Sequence, residues 1–460
     1  MELQPTPTIQ PPKSLKATCA VVMLGCPKNL VDTERMLGLL YSAGYKPTPH
    51  PEDADLVLVN TCSFLASARQ EAYQVIEEMV ELKRQGRIRG LIVAGCLPQW
   101  EGQSLLDRYP EVDEFLGVFA RDEIVRAAER VLGGQPGPQF TQLAQPAQAM
   151  QELGRVRITL PHVGYLKIAD GCDRQCSFCL IPQIRGKYRS KPIDQVLAEA
   201  QELADHGVRE LILIAQDTSA YGRDLAQGRS LLPELLRQLD QLDGLRWIRL
   251  MYLYPVGIHQ ELVETIASAR KVLPYLDLPL QHISDPILER MDRLVDRRRT
   301  EELLDRLRRG IPRLVLRTTL MVGFPGETEA HFQELIRFVQ QQRFERLGVF
   351  AFSPEPGTPA AQMPDQVPEP VRQSRRNRLL QVQQKIAFAY NEAQIGKRLE
   401  VLVDRQVTGH PHAWVGRTYA DAPEIDAVVY VTGQNFRPGQ IVPCEIVAAQ
   451  GYDLIGVARL

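Results

Sequence analysis

Three thiols fall within one short stretch, Cys172-Asp-Arg-Gln-Cys176-Ser-Phe-Cys179, directly after an apolar run at residues 163–169. A CxxxCxxC spacing of this kind constrains the chain more than any other feature. Three thiolates can hold three irons of a 4Fe-4S cluster and leave the fourth iron without a protein ligand. An open metal position is where a small molecule coordinates and reacts. The alternative is a structural zinc knuckle, which needs a fourth ligand, and no His or Cys follows Cys179 closely.

The residues around this stretch read as repeated βα units. Strand candidates are residues 163–169, 211–215, 247–253, 275–280, 315–322 and 347–352, with helical patterns such as 193–206, 231–242 and 329–342 between them. Such repetition suggests a barrel or part of one, and barrels keep their chemistry where strands end. A long charged helix is expected over 368–389. From residue 393 the texture changes to short β-rich runs separated by Gly and Pro, which fits a small β-barrel of about 65 residues.

Upstream, three apolar runs at 19–24, 55–60 and 90–94 each stop at a cysteine: Gly25-Cys26, Thr61-Cys62 and Gly95-Cys96. Short Val/Leu/Ile runs alternating with helices predict a doubly wound α/β sheet. In such sheets ligands bind at the carboxyl ends of the strands, so Cys26, Cys62 and Cys96 are expected to meet in space. The competing reading is three buried strand-end cysteines with no metal. Cys19 and Cys444 fall outside both triplets and read as small core residues. The expected division is a flexible extension at 1–17, an α/β domain at 18–135, a Gly/Pro/Gln-rich linker at 136–157, a barrel at 158–392 and the small β-barrel at 393–460.

Composition excludes several classes. The chain has 460 residues, 44% hydrophobic and 24% charged, which is globular. A formal charge of −2 argues against coating nucleic acid by charge alone. No apolar run approaches the roughly 18 residues of a membrane helix. The start carries four prolines and no apolar stretch, so it reads as an extension and not a signal peptide. A reducing cytoplasmic setting is expected, where clustered cysteines serve as ligands.

With CxxxCxxC in a strand-end loop, the chain resembles the radical S-adenosylmethionine enzymes. That resemblance implies a partial barrel of six strands, S-adenosylmethionine on the open iron, and one-electron cleavage to methionine and a 5′-deoxyadenosyl radical. Phe178, before the last cysteine, would lie near the adenine. The stretches GCPKNLVDTE (25–34), NTCSF (60–64) and AGCLPQ (94–99) resemble the methylthiotransferase family, whose second 4Fe-4S cluster would take Cys26, Cys62 and Cys96. The resemblance extends to the last domain, which looks like a TRAM barrel. It implies two 4Fe-4S clusters, a sulfur methylated by one cofactor molecule, and a radical from a second that abstracts hydrogen from an unactivated carbon. An electron donor and a sulfur source are implied as partners.

Within that family, GCPKN (25–29), PHVGYLKIADGC (161–172) and WVGRTYADAPEID (414–426) resemble the RimO-type branch, which modifies the β-carbon of one aspartate of ribosomal small-subunit protein S-twelve. The last domain supports a protein substrate over tRNA: six basic and seven acidic residues leave it at −1, with no electrostatic footprint for RNA. Asp421, Glu424 and Asp426 are expected to form an acidic docking surface for a basic ribosomal protein. The alternatives are a tRNA adenosine methylthiotransferase and a non-catalytic metal-containing RNA- or ribosome-binding protein. Weaker candidates follow the barrel strands. Gln216 and Asp217 are expected to contact cofactor, or else to cap a helix. Gln281-His282 reads the same way, whereas the GFPGET turn at 323–328 lacks the GK[ST] of a phosphate loop and reads as a tight turn beside the cofactor. Arg185, Lys187, Arg189 and Lys191 read as a solvated run or an anion contact.

Overall fold

The computed structural model describes residues 4–5, 9, 14–134 and 138–459. Most of the expected extension at 1–17 therefore lies outside the described residues. The first domain is a six-stranded parallel sheet. Ala17–Met23, Leu56–Thr61 and Gly90–Gly95 form its centre, Tyr45–Pro47 one edge, and Glu114–Gly117 and Gln139–Thr141 the other. Every residue of Leu56–Thr61 and Gly90–Gly95 is buried, which is why these strands read as unbroken apolar runs. Alternation sorts their side chains. Leu56 and Leu58 face Pro27–Ser42 and Ile124–Leu132, whereas Val57 and Val59 face Ala66–Arg84. The three flanking strands are only three or four residues long and carry too little pattern to stand out. Gln139–Thr141 carries the sheet into the stretch expected as linker.

The second domain is an open sheet of six parallel strands in chain order: Val163–Lys167, Glu210–Ile214, Trp247–Leu250, Val272–Asp277, Val315–Val322 and Arg346–Ala351. All six expected strands are present. Helices cover the outer face over a large Leu/Val/Phe core, including Leu379 and Ile386 of the Glu369–Glu392 helix. The concave face is filled differently. Tyr165, Ile212, Ile214 and Tyr275 pack against Leu30 and Val31 of the first domain and against Leu402, Ala420 and Ala422 of the third. The open barrel lacks the inner layers of a closed one, and its neighbours supply them.

The third domain is a closed five-stranded barrel, in the order Arg398–Gln406, Ala413–Arg417, Val429–Thr432, Asp453–Ala458, Ile441–Gln450. Val401, Val403, Val431, Val442 and Cys444 fill it, so Cys444 is a small core residue. Buried ion pairs lock this barrel to the second domain. Arg417 holds Asp404 at 2.8 Å and Glu210 at 2.5 Å, and Arg249 holds the other oxygen of Glu210 at 2.7 Å. Arg346 pairs with Asp421 at 2.5 Å. Tyr275 donates to Asp426 at 2.6 Å.

These contacts correct the acidic docking surface. Asp421 is 1% exposed, and Asp426 is largely enclosed between Tyr275, Arg317 and Arg346. Only Glu424 of the three is exposed. The acids answer arginines on the barrel strands, so the count of −1 does not describe the domain's surface.

Removing one partner of a buried pair leaves the other charge uncompensated, at about 3–5 kcal/mol. Asp421→Lys should cost that order of stability in urea unfolding, while Glu424→Lys should shift the midpoint little; equal effects would contradict the assignment of Asp421 to the domain lock. The same lock sets an acid limit. Burial opposes ionisation of Glu210, but Arg417 and Arg249 hold its carboxyl below the ordinary value of 4.5. A depressed carboxylate contributes stability that is fully present above its unfolded pKa and lost as pH falls through its folded one. Stability should decline below about pH 4.5, and Glu210→Gln, though weaker throughout, should show a shallower decline.

Candidate functional site

The cysteines of the first domain sit at the carboxyl edge of its sheet. Cys26 caps the Pro27–Ser42 helix, Cys62 follows Leu56–Thr61, and Cys96 opens the Cys96–Glu101 helix. Gly25 lets the strand ends crowd together. Its φ is +92°, and a Cβ there would lie 2.6 Å from the Cys62 Cβ and 3.1 Å from its Sγ. Asn29 ties the three loops. Its amide donates to the Leu24 carbonyl at 3.1 Å and the Thr61 carbonyl at 2.8 Å, and its Oδ1 lies 3.6 Å from the Cys96 Sγ. Residues far apart in sequence are thus brought to one edge of the sheet. Burial pushes Cys96 up to about 12 and raises Cys62, which favours the protonated thiol.

The second triplet lies in the loop beyond Val163–Lys167. Backbone amides point at its sulfurs: Arg174 N–H at Cys172 Sγ, 3.4 Å, and Ile181 N–H at Cys179 Sγ, 3.5 Å. The Arg293 guanidinium reaches Cys176 Sγ at 3.6 Å. Ser177 anchors the loop, donating to the carbonyls of Met291 and Arg290 and accepting from the Ala360 amide. Phe178 is half-buried, edge-on to Phe324 of the GFPGET turn at 6.4 Å. Donors aimed at sulfur suit thiolates, as an iron–sulfur cluster requires. Among the described residues no three His, Cys, Asp or Glu side chains converge on one metal ion. A structural zinc would need four on one centre, whereas a cluster takes each thiolate on a different iron.

Asp217 is 2% exposed. Its carboxylate holds Arg174 at 2.9 Å and accepts from Ser219 at 2.5 Å, so its reach toward the cysteine loop runs through Arg174. Gln216 donates to Asp170 at 3.0 Å, and its Oε1 has no partner. His282 lies 3.4 Å from Glu327, which accepts from the Gly323 amide and pairs with Arg375 at 2.8 Å. That trio fastens the GFPGET turn to the Glu369–Glu392 helix.

A buried charge network joins the two triplets. Arg185 donates to Asn29 Oδ1 at 2.7 Å, reaches Cys96 Sγ at 3.7 Å, and pairs with Asp32 at 3.0 Å and Asp170 at 3.2 Å. Asp170 in turn accepts from the Gly171 amide, beside Cys172. Burial opposes the charge on Asp32, but Lys167, Arg185 and Arg121 hold its carboxyl far below the usual range. The basic run that read as solvated surface is thus split: Arg185 and Lys191 are buried in ion pairs, and Lys187 is exposed. Arg293 had no sequence signal, since it joins Cys176 only through folding. Asn29 stood inside the GCPKN motif, but nothing in the sequence gave its role.

Known proteins agree with this architecture. Residues 18–117 match the uncharacterized protein family UPF0004, residues 166–339 the radical SAM superfamily, and residues 395–458 the TRAM domain. A protein of Anaeromyxobacter sp. (strain K) named ribosomal protein uS12 methylthiotransferase RimO is 48% identical over 441 residues, 95% of this chain and 92% of its own. One of the same name from Lachnoclostridium phytofermentans is 44% identical, covering 95% and 99%. In fold, the radical S-adenosylmethionine methyltransferase TsrM of Kitasatospora setae, solved with cobalamin and a [4Fe-4S] cluster, has a TM-score of 0.53 at 16% identity, over 75% of this chain and 76% of that one. The three domains and these long alignments identify the chain as an enzyme of the RimO family, the radical S-adenosylmethionine methylthiotransferases that use 4Fe-4S clusters.

Proposed function

We propose that this enzyme adds a methylthio group to the β-carbon of an aspartate in ribosomal protein uS12, with Cys172, Cys176 and Cys179 holding one 4Fe-4S cluster and Cys26, Cys62 and Cys96 a second. The observation that carries this reading is the Arg185 bridge, which touches Cys96 of the first triplet and pairs with Asp170, the residue that accepts from the Gly171 amide beside Cys172. When bound, the clusters and S-adenosylmethionine supply the electron, the radical and the methylated sulfur. The chain's own residues position and shield. Asn29 fixes the three strand ends that carry the first triplet. Arg174 and Arg293 flank the second, and each guanidinium lies 4.2 Å from the Tyr254 ring centroid. The packing of Leu30 and Val31 against the barrel keeps water from the junction. Gln216, with its unpaired Oε1 near Asp170, is a candidate contact for the cofactor's amino group, and Phe178 for its adenine.

The reaction needs a one-electron donor and a sulfur source. The expected setting is the cytoplasm; no helix among the described residues is long and apolar enough to cross a membrane. Anaerobic reconstitution followed by turnover with uS12 and tRNA in parallel tests the substrate. A methylthio mass increment on uS12 alone supports it, and equal or better reaction of tRNA defeats it.

Two variants separate the triplets. Cys176→Ala should abolish reductive cleavage of S-adenosylmethionine; cleavage at the wild-type rate would remove the central assignment. Cys62→Ala should still form 5′-deoxyadenosine and give no methylthiolated product. Gly25→Ala tests the cradle. Its methyl group displaces Cys62, so reconstituted protein should carry about half the wild-type iron, measured together with its absorbance; full iron would show that the close approach is dispensable.

A further inference from the structure

Lys28 stands out among the buried cations. Lys167 and Lys191 are buried with carboxylates at 2.6 Å. Lys28 is also buried, 6% exposed, yet among the described residues its ammonium meets no carboxylate within 4.0 Å. Its partner is a ring: Nζ lies 3.1 Å from the centroid of Tyr252. The charged groups that face it are Cys26, Arg185, Asp277 and Asp170, and both carboxylates are already matched by other cations. Asp277 holds Arg317 at 2.8 Å, and Asp170 holds Lys167 and Arg185 at 3.2 Å each.

Tyr252 is placed at a cost. Its φ is +60°, a left-handed conformation that a bulky residue rarely adopts. Hydrogen bonds hold it there: its amide donates to Asp277 at 3.0 Å, and its carbonyl accepts from Thr218 at 2.9 Å. Strain of this kind persists where surrounding structure over-determines it, and it clusters at ligand clamps. Lys28 comes two residues after Cys26, and Tyr252 comes two residues after the third barrel strand. The pair therefore sits on the seam between the two domains that carry the cysteines.

We propose that Lys28 binds the carboxylate of the target aspartate, with Tyr252 as the platform that aims it; this rests on the methylthiotransferase reading above. The carbon to be modified bears the carboxylate directly, so the carboxylate must enter the junction with it and leave water. A carboxylate moved out of water requires a cation and hydrogen-bond donors. Lys28 is a buried cation that, among the described residues, has no carboxylate partner, so a carboxylate arriving at the seam meets an ammonium that no other carboxylate already holds. The pairing also selects substrate, because an amide in place of the acid leaves the charge unmatched.

The test is a binding cycle on the cluster-loaded enzyme, kept anaerobic, with uS12 and its variant carrying Asn at the target position. Wild-type enzyme should bind the Asp form about tenfold more tightly or better, the scale of a hydrogen bond to a charged group. Lys28→Met should erase the preference, and Lys28→Arg should retain much of it. Equal binding of both forms by wild type overturns the proposal without recourse to any variant. A preference that survives in Lys28→Met overturns it as well. Weaker binding of S-adenosylmethionine by Lys28→Met, with the preference intact, would assign Lys28 to the cofactor instead. Product formed from uS12 by an enzyme that does not distinguish Asp from Asn would sink only Lys28, whereas no product from uS12 would sink the functional reading.

Discussion

The Arg185 guanidinium is the contact on which the arrangement of the site depends. It lies in the helix after the CxxxCxxC loop, yet it donates across the domain boundary to Asn29 and Cys96. Its other partners, Asp32 and Asp170, also belong to different domains. Lys167, Arg121 and Glu152 continue the network, with Glu152 holding Arg121 at 2.6 Å and Lys167 at 3.1 Å. Each carboxylate is shared by more than one cation, so the cost of burying it is spread over several contacts. The thiols at the sheet edge of one domain and the CxxxCxxC loop of the other are therefore placed by a common set of side chains.

The open barrel creates the need for such a junction. Six strands leave a concave face that no inner layer fills, and that face is apolar at Tyr165, Ile212 and Tyr275. Two domains cover it from different ends. The first brings Leu30 and Val31 on the helix that Cys26 caps, so the packing that closes the barrel also carries the first triplet to it. The third brings Leu402, Ala420 and Ala422, with Arg417 clasping Glu210 and Asp404. Glu210 begins a barrel strand whose far end leads to Gln216 and Asp217. The small barrel therefore braces the sheet at the end opposite the chemistry.

The sequence showed what depends on local pattern. Runs such as DLVLVN and GLIVA are buried on both faces, and that double burial is what makes a parallel strand readable. Cysteines placed after such runs followed from the same pattern, because strand ends share one edge. Charge was misread where partners are distant. Asp421 looked like surface because it lies in an acidic stretch, and only folding brings Arg346 to it. Arg185 and Lys191 looked solvated for the same reason. Tyr252 had no signal at all, since a left-handed tyrosine is set by what surrounds it and not by its neighbours in the chain.

Why these junctions use buried charge and not only apolar packing follows from what each tolerates. Leu and Val surfaces hold domains together, but they permit small slips at little cost, since one methyl contact replaces another. A buried ion pair adds little net stability over an apolar substitute, and it fails steeply when displaced, because a charge is left without a partner. Arg185 can satisfy Asn29, Asp32 and Asp170 together in one relative placement of the two domains. The proposed reaction, which passes a group from one triplet's surroundings to a carbon activated beside the other, requires that placement to be reproducible. The apolar surfaces thus supply the affinity between the domains, and the shared guanidinium supplies the register in which they meet.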